Sequence, residues 1–493
     1  MDISGIGAGG GIEHELADNE QMVFIHISKT AGSAFTSYCL TGNFATKDIC
    51  FITENTDGAS LTNNPNRHRL YTGHISYGSA LSILDNPVFI TFLRDPAERV
   101  RSRYYFFKNV MSRNAHYADL PKVKEAAQQD FIDWAQSDEN KTINNMQAKM
   151  ISGQIHSLRN KFQRGSEIFL QASGNLSSFP FFGVTEMMKE SVWLFAFVFG
   201  FKPLRRLPEY NVGIEKKELS PEEQAVLKQL LTLDNNLYGF GVKLFRSRYL
   251  DMVATLLRRY GTPSHAELGK ALDDAVPKIS SGLGPLLPEK YDDMVFSLIE
   301  RHYERRYAAR RSPFLERVEF DFNSRIDGTG WHPPVPMNGI PPIHYRITGP
   351  GLVAELDMPI SPYIGDYFIS FAANSQEKEV LDSLKLSIND TPVSLAQDGS
   401  TFTGKIPQSA FARNFRPFSR LSFSVAKTSR LANVHQPHSK AGDIGVSVFW
   451  IDILPEREYE ERRRAYACHA KLHRTFGDRR DAERGFFRSF GAK

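Results

Sequence analysis

The first hundred residues carry two short, unbroken apolar runs. Residues 22–27 read Met-Val-Phe-Ile-His-Ile, and residues 86–93 read Asn-Pro-Val-Phe-Ile-Thr-Phe-Leu. Continuous rather than alternating apolar runs mark strands buried on both faces of a parallel sheet. Each run breaks into a short polar loop and then an amphipathic segment, residues 35–40 after the first and residues 96 onward after the second. Strand, loop and helix repeated in this way predict an α/β domain. After about residue 250 the period changes. Residues 251–260 and 291–311 read as amphipathic helices, separated by a Gly/Pro/Ser-rich stretch near 280–288. From Val318 the pattern becomes short and alternating, at 352–356, 367–371, 384–388, 421–425 and 446–451, with turn signals at Asn389-Asp-Thr-Pro and Gln397-Asp-Gly. Several short strands without helices between them predict an antiparallel β-sandwich. The expected division is a flexible tail over 1–20, an α/β domain over 21–250, a helical connector over 251–315, a sandwich over 316–455, and a charged helical tail over 456–493 with Phe476, Phe486, Phe487 and Phe490.

The loop after the first run is the most informative stretch. It reads Ile27-Ser-Lys29-Thr30-Ala31-Gly32-Ser33-Ala34. Small residues between a strand and a helix point backbone N–H groups at an anion, and Lys29 adds a full charge. It is not a Walker A loop, whose lysine follows the second glycine, because Lys29 precedes Gly32. Gly5, Gly7 and Gly10 also match Gly-x-Gly-x-x-Gly, but only four residues precede them, too few for the strand that motif needs. The second run ends in Arg94-Asp95-Pro96-Ala97-Glu98-Arg99. Asp95 can cap a helix, Pro96 fits its first position, and Glu98 can complete a capping box. Arg94 then sits at the C-terminal edge of a strand, where open α/β sheets bind ligands. Ser102 lies eight residues on, on nearly the same face and within reach of the same phosphate.

These segments carry a family resemblance. Residues 24–33 resemble the 5′-phosphosulfate loop of carbohydrate sulfotransferases that use 3′-phosphoadenosine 5′-phosphosulfate (PAPS). Residues 93–99 with Ser102 resemble their 3′-phosphate element. Tyr71-Thr-Gly73-His74-Ile-Ser-Tyr77 resembles the segment bearing the catalytic histidine of heparan sulfate 2-O-sulfotransferase. Residues 144–153, 182–186 and 233–238 also fit. The resemblance spans roughly residues 20–247 and implies a P-loop-like sheet flanked by helices. Three departures stand out. Ser28 replaces the usual Pro, with no side-chain contact expected of it. Ser33-Ala34 replaces Thr-Ser, which leaves Ser33 and Thr30 as hydroxyl ligands. Thr72 replaces a second histidine of the 2-O enzymes.

Sulfuryl transfer proceeds through a loose, in-line transition state, so positioning and charge stabilisation dominate. The resemblance implies that Lys29 neutralises the departing phosphate while Thr30, Ala31, Gly32, Ser33 and Ala34 cradle it. Arg94 and Ser102 would grip the 3′-phosphate. His74 would be the general base, a role imidazole suits near neutral pH. His26, inside the first strand, reads as structural. No metal spacing appears, since His435 and His438 flank Pro437 without a nearby carboxylate or cysteine.

Composition adds bounds. Net charge is +4 over 493 residues, which gives no argument for a nucleic-acid partner. Arg94, Arg99, Arg101, Arg103, Lys108 and Arg113 nevertheless cluster around the second element. Part of that set is expected to be a solvated face and part to steer an anionic donor and an acidic glycan. Tyr104, Tyr105, Phe106 and Phe107 read as core. Three cysteines make no disulfide framework. No signal core or membrane-length apolar run is present, the longest being near 192–201, so a cytoplasmic chain is expected. The partner is then a carbohydrate acceptor, and the C-terminal domain or tail could also join two chains. The sandwich reads as a structural or docking unit more than a glycan binder. A non-catalytic glycan-binding or scaffold protein on the same fold is the rival reading, opposed by the presence of Lys29, His74, Arg94 and Ser102 together. A kinase is opposed by the absence of the Walker lysine and of a magnesium carboxylate.

Overall fold

The two apolar runs form the middle of a parallel sheet. The computed structural model describes residues 12–52, 67–113, 117–137, 140, 144–154, 165–208, 218–278, 282, 284–310, 314–337, 344–411, 416–430 and 443–465. Five strands compose the sheet: β1 (Gln21–Ile25), β2 (Ile49–Ile52), β3 (Leu70–Gly73), β4 (Pro87–Leu93) and β5 (Phe181–Val184). Their order is β2-β3-β1-β4-β5, and every pairing is parallel. Central β1 is buried along its whole length, and β4 is buried from Val88 onward. That accounts for the absence of alternation in the sequence.

Helices cover the sheet. α1 (Gly32–Phe35) continues without a break into a π-helical turn, Thr36–Leu40. α2 (Pro96–Asn109) starts as expected, with the Asp95 carboxylate accepting from Glu98 N at 2.9 Å and proline in the first turn. Glu98 itself does not close a capping box; its carboxylate pairs with Arg101 at 2.9 Å. α3 (Met146–Ser152), α4 (Met188–Phe199), α5 (Thr232–Tyr260) and α6 (Asp292–Arg310) follow. α4 is buried from Ser191 through Phe199, so the longest apolar run of the chain is a core helix. Among the described residues no helix is long and apolar enough to cross a membrane.

Two boundaries differ from the sequence reading. Residue 250 falls inside the continuous helix α5, and Leu250, Val253 and Leu256 join Val295 and Ile299 of α6 in the main core. The stretch read as a connector therefore completes the α/β domain, because its apolar faces are needed to cover α4. Residues 12–20 are also seated rather than loose. His14 N donates to Val198 O at 2.8 Å, and Glu13 pairs with Arg259 at 2.5 Å and Arg306 at 3.4 Å.

Beyond α6 the chain forms two antiparallel sheets packed on a second core. One is ordered Thr391–Val393, Lys385–Ile388, Ser419–Ser424, Val353–Met358, Gly328–Thr329. The other is built around Tyr367–Asn374 and Ser447–Pro455. The five alternating segments of the sequence are all strands here. Tyr367–Asn374 buries every second residue, the period-two pattern of a sheet with one face on a core. Trp331 is buried, donates to Glu355 O at 2.9 Å and packs on Phe322 and Phe423, so it is no exposed sugar platform. Residues 456–465 are helical, and Tyr459 stacks on Phe368 of the sandwich at 4.2 Å. Phe476, Phe486, Phe487 and Phe490 lie outside the described residues, as do His435, His438 and Cys468.

Candidate active site

Four adjacent strands end at one edge of the parallel sheet, and the residues that follow them meet there. Lys29 lies four positions after β1, His74 one after β3, Arg94 one after β4, and Thr185 and Glu186 follow β5 directly. The carboxyl edge of a parallel sheet is where α/β folds place ligands.

The loop between β1 and α1 is bent by two non-glycine residues in the left-handed region, Lys29 at φ +70° and Ala31 at φ +60°. Such conformations cost free energy and collect at ligand-clamping loops. Alternating handedness turns successive N–H groups inward as a nest for an anion. Gly32 is required for a different reason. A Cβ there would lie 2.1 Å from Cδ2 of His26, so the imidazole occupies the space a side chain would need. Thr30 is fully buried and its hydroxyl donates to Ile27 O at 2.8 Å, bracing the loop from within. Ala34 packs in the core, while Ser33 is exposed on the first turn. Of the two hydroxyls nominated from the sequence, Ser33 is exposed and Thr30 is turned into the loop. Ser28 gains a role the sequence did not suggest, because Arg103 donates to its hydroxyl at 2.5 Å.

Arg94 is fixed at both ends. Gln147 accepts from its backbone N and donates to its carbonyl, both at 2.9 Å. Its guanidinium donates to Lys29 O at 2.9 Å and lies 4.0 Å from the Glu186 carboxylate. Glu186 in turn accepts from Asp95 N at 2.9 Å and from the Tyr238 hydroxyl at 2.8 Å. Burial pushes the Glu186 carboxyl up, opposed by those two donors and by Arg94. Burial and the Glu186 charge push the Tyr238 phenol far above its ordinary range, so it stays a donor. Thr185 ties the loops together by sharing its hydroxyl between Thr30 O and Leu93 O. Arg94 and Lys29 are thus one mechanical unit. The Lys29 ammonium sits 4.1 Å over the Phe106 ring, so Phe106, which packs against a buried cluster as expected, also borders the site. Ser102 is half-buried in α2 beside Arg103.

The basic cluster of α2 separates by function. Arg99 is fully buried and pairs with buried Asp234 at 3.7 Å. Arg101 pairs with Glu98, and Lys108 donates to the Tyr104 hydroxyl at 2.7 Å. Arg103 is the member that reaches the loop.

His74 is exposed, and Gly73 delivers it there. Gly73 has φ +150°, and a Cβ would lie 2.0 Å from Ile52 O, so only glycine permits the bend. The His74 Nδ1 lies 2.8 Å from the His26 carbonyl. A carbonyl only accepts, so Nδ1 carries the hydrogen and Nε2 is the basic nitrogen of the neutral ring. The His26 ring stacks beneath, 5.1 Å away. Burial first, then His74 and Lys29, hold the His26 imidazole down to about 3, so it is neutral at physiological pH. A second imidazole therefore adjoins His74 from the neighbouring strand. Thr72, which replaces the second histidine of the 2-O enzymes, meets Thr36 at 3.3 Å. Gln147, Glu186 and Tyr238 fall in segments that fit the family resemblance, but the sequence assigned them no role. They come from segments 53 to 144 residues away from Arg94, and only the fold brings them together.

Residues 15–241 match the model of the sulfotransferase family. The N-terminal domain is thus similar to the sulfotransferase family. The chain is 23% identical over 282 residues to human heparan-sulfate 6-O-sulfotransferase 2, covering 48% of this chain and 46% of that protein. The same enzyme of Gallus gallus is 23% identical over 286 residues, 48% of this chain and 70% of the relative. Heparan-sulfate 6-O-sulfotransferase 1-B of Danio rerio is 24% identical over 289 residues, 48% and 69% respectively. The chain thus spans about half the length of the human relative it matches. These relatives are 6-O enzymes, whereas the histidine segment taken alone resembles the 2-O enzymes. The family match ends well before the sandwich.

Proposed function

We propose that this protein transfers a sulfuryl group from PAPS to a hydroxyl of a carbohydrate, with His74 as general base. The observation that carries the reading is the His74 imidazole, fixed through Nδ1 by the His26 carbonyl with Nε2 left basic, beside the Lys29 loop. The nest of Lys29 to Ala34 has the chemistry to hold a 5′-phosphate, and Arg94 with Ser102 the chemistry to hold a 3′-phosphate. Bound PAPS supplies an activated sulfur joined to a phosphate leaving group. The S–O bond to phosphate breaks as a new S–O bond forms to the acceptor oxygen. The acceptor proton passes to His74 Nε2, and charge developing on the phosphate is met by Lys29 and the loop N–H groups. No protein covalent intermediate and no metal ion enters this balance. Among the described residues no cluster of metal-ligating side chains occurs.

The relatives named above act on heparan sulfate according to their names, which favours an acidic polysaccharide or oligosaccharide as acceptor. The test is transfer of labelled sulfate from PAPS to a panel of glycans, including heparan-type chains lacking a free 2-hydroxyl or 6-hydroxyl. Calorimetry with 3′-phosphoadenosine 5′-phosphate, on wild type and Arg94→Ala, accompanies it. Micromolar binding lost in the variant, with transfer to one class of glycan, is the expected result. A folded wild-type protein that binds no nucleotide would move the assignment to a non-catalytic scaffold on this fold.

A further inference from the structure

The sandwich touches the α/β domain at the helix that follows the donor loop. The last turn of that helix, Thr36–Leu40, is π-wound, a form found mostly where function has reshaped a helix. Its Tyr38 hydroxyl lies 3.2 Å from His332 Nδ1 of the sandwich. His332 is buried, and its Nε2 lies 3.0 Å from Asp443 O. Since that carbonyl accepts, Nε2 carries the hydrogen and Nδ1 accepts from Tyr38. Four residues on, Gly42 O accepts from Ile326 N at 2.9 Å, and a Cβ on Gly42 would lie 3.3 Å from the Ile326 side chain. Thr46 N donates to Asn323 O at 2.9 Å. One sandwich segment, 323–332, therefore grips the chain at three points between residues 38 and 46.

The grip has a firm base. Asp357 of the sandwich, with no exposed side-chain surface, pairs with Lys202 at 2.9 Å and Arg420 at 2.8 Å. It also accepts from the Tyr303 hydroxyl at 3.1 Å, and its carbonyl accepts from Tyr307 at 3.2 Å, both from α6. A module that only tethered glycan would need a linker, not a buried charged network and a second contact at the donor helix.

We infer that the sandwich is a brace for the donor loop, with His332 a positioning residue that holds α1, through Tyr38, in the orientation that aims the loop N–H groups. The inference rests on the donor-site reading above for its effect on PAPS, but not for the mechanical coupling itself. Preorganising the cradle lowers the ordering cost of ligand binding.

The test uses the full chain with Tyr38→Phe, which removes one hydroxyl, and His332→Ala. Hydrogen exchange of residues 30–43 and 3′-phosphoadenosine 5′-phosphate affinity are measured, with the donor KM and the acceptor KM followed separately. Exchange in 30–43 should quicken several-fold in both variants. The nucleotide Kd and donor KM should rise three- to tenfold, and the acceptor KM should hold. Unchanged exchange and unchanged nucleotide affinity in both variants would overturn the brace. A wild-type chain that binds no nucleotide would defeat the donor-site reading alone, and exchange would still decide the coupling.

Discussion

Removing the Asp234 carboxylate should damage both the stability of the α/β domain and its donor site. Asp234 and Arg99 have no exposed side-chain surface and lie 3.7 Å apart. Burial pushes the Asp234 carboxyl up and the Arg99 guanidinium down, and each opposes the other's shift. The carboxylate also caps α3, accepting from Ala148 N at 2.8 Å and Gln147 N at 3.4 Å. Breaking a buried pair from one side costs about 3–5 kcal/mol, because the remaining charge stays buried. A lost cap adds about 1 kcal/mol. Asp234→Ala should therefore cost roughly 4–6 kcal/mol. At about 2–4 °C per kcal/mol for a domain of this size, the domain's melting temperature should fall by at least ~8 °C. α3 carries Gln147, which clamps the Arg94 backbone, so nucleotide affinity should fall as well. Calorimetric melts of wild type, Asp234→Asn, Asp234→Ala and the double variant Arg99→Met with Asp234→Leu separate the parts. Asn keeps most of the cap and loses the charge. The double variant removes both charges and should recover most of the stability, since apolar replacement of a whole buried pair is often close to neutral. A fall under about 3 °C for Asp234→Ala, or a double variant as unstable as the sum of its singles, would refute the account.

His74→Ala should lower turnover at least a hundredfold, the usual worth of a general base, while nucleotide binding persists; near-wild-type rates would remove His74 from the mechanism. Lys29→Ala should weaken both nucleotide binding and turnover, and unchanged kinetics would end its assigned role. Tyr238→Phe deprives Glu186 of a donor at 2.8 Å, so stability should fall by about 1.5–3 kcal/mol with a weaker nucleotide Kd; equal melts and equal Kd would show that Glu186 does not hold Arg94. His26 is neutral in the folded chain down to about 3, while an unfolded histidine titrates near 6.5. Between those values the unfolded chain binds the extra proton, so stability is present above pH 6.5 and lost on acidification towards 3, by at most about 1.4 kcal/mol per pH unit. His26→Phe should flatten that slope in denaturant titrations, and an identical slope would refute the burial argument.

Two central strands of the sheet were legible because strands buried on both faces leave short apolar runs; the shorter strands Ile49–Ile52, Leu70–Gly73 and Phe181–Val184 were not read from the sequence. Lys29 and Arg94 could be named because each closely follows a strand read from the sequence, whereas His74 was named from the resemblance of its segment to a known family. The α5 boundary left no comparable signal. A helix passing from the sheet to α6 shows no break at residue 250, and the composition shift nearby belongs to the loop at 280–288. The contacts of Ser28 with Arg103 and of Lys29 with Phe106 were illegible because the partners lie more than seventy residues apart in sequence. Gln147, Glu186 and Tyr238 lie in segments that fit the family resemblance, but their roles were illegible because they act through contacts with Arg94, Asp95 and each other.

The two halves of the candidate site are built to different standards, and the difference bears on what each half selects. The half proposed to hold the donor is cross-tied. Arg94 answers to Gln147, Glu186 and the Lys29 carbonyl; Thr30 answers to Ile27 and Thr185; the helix beyond answers to His332. A single nucleotide of fixed shape favours such rigidity, because every ordered contact is prepared before binding. The acceptor half offers His74, exposed and steered by one backbone carbonyl and one stacked ring. If His74 is the base, as proposed, one held this way can meet hydroxyls on a flexible sugar chain from several approaches. Choice among hydroxyl positions then falls to the surface around His74 rather than to the base itself.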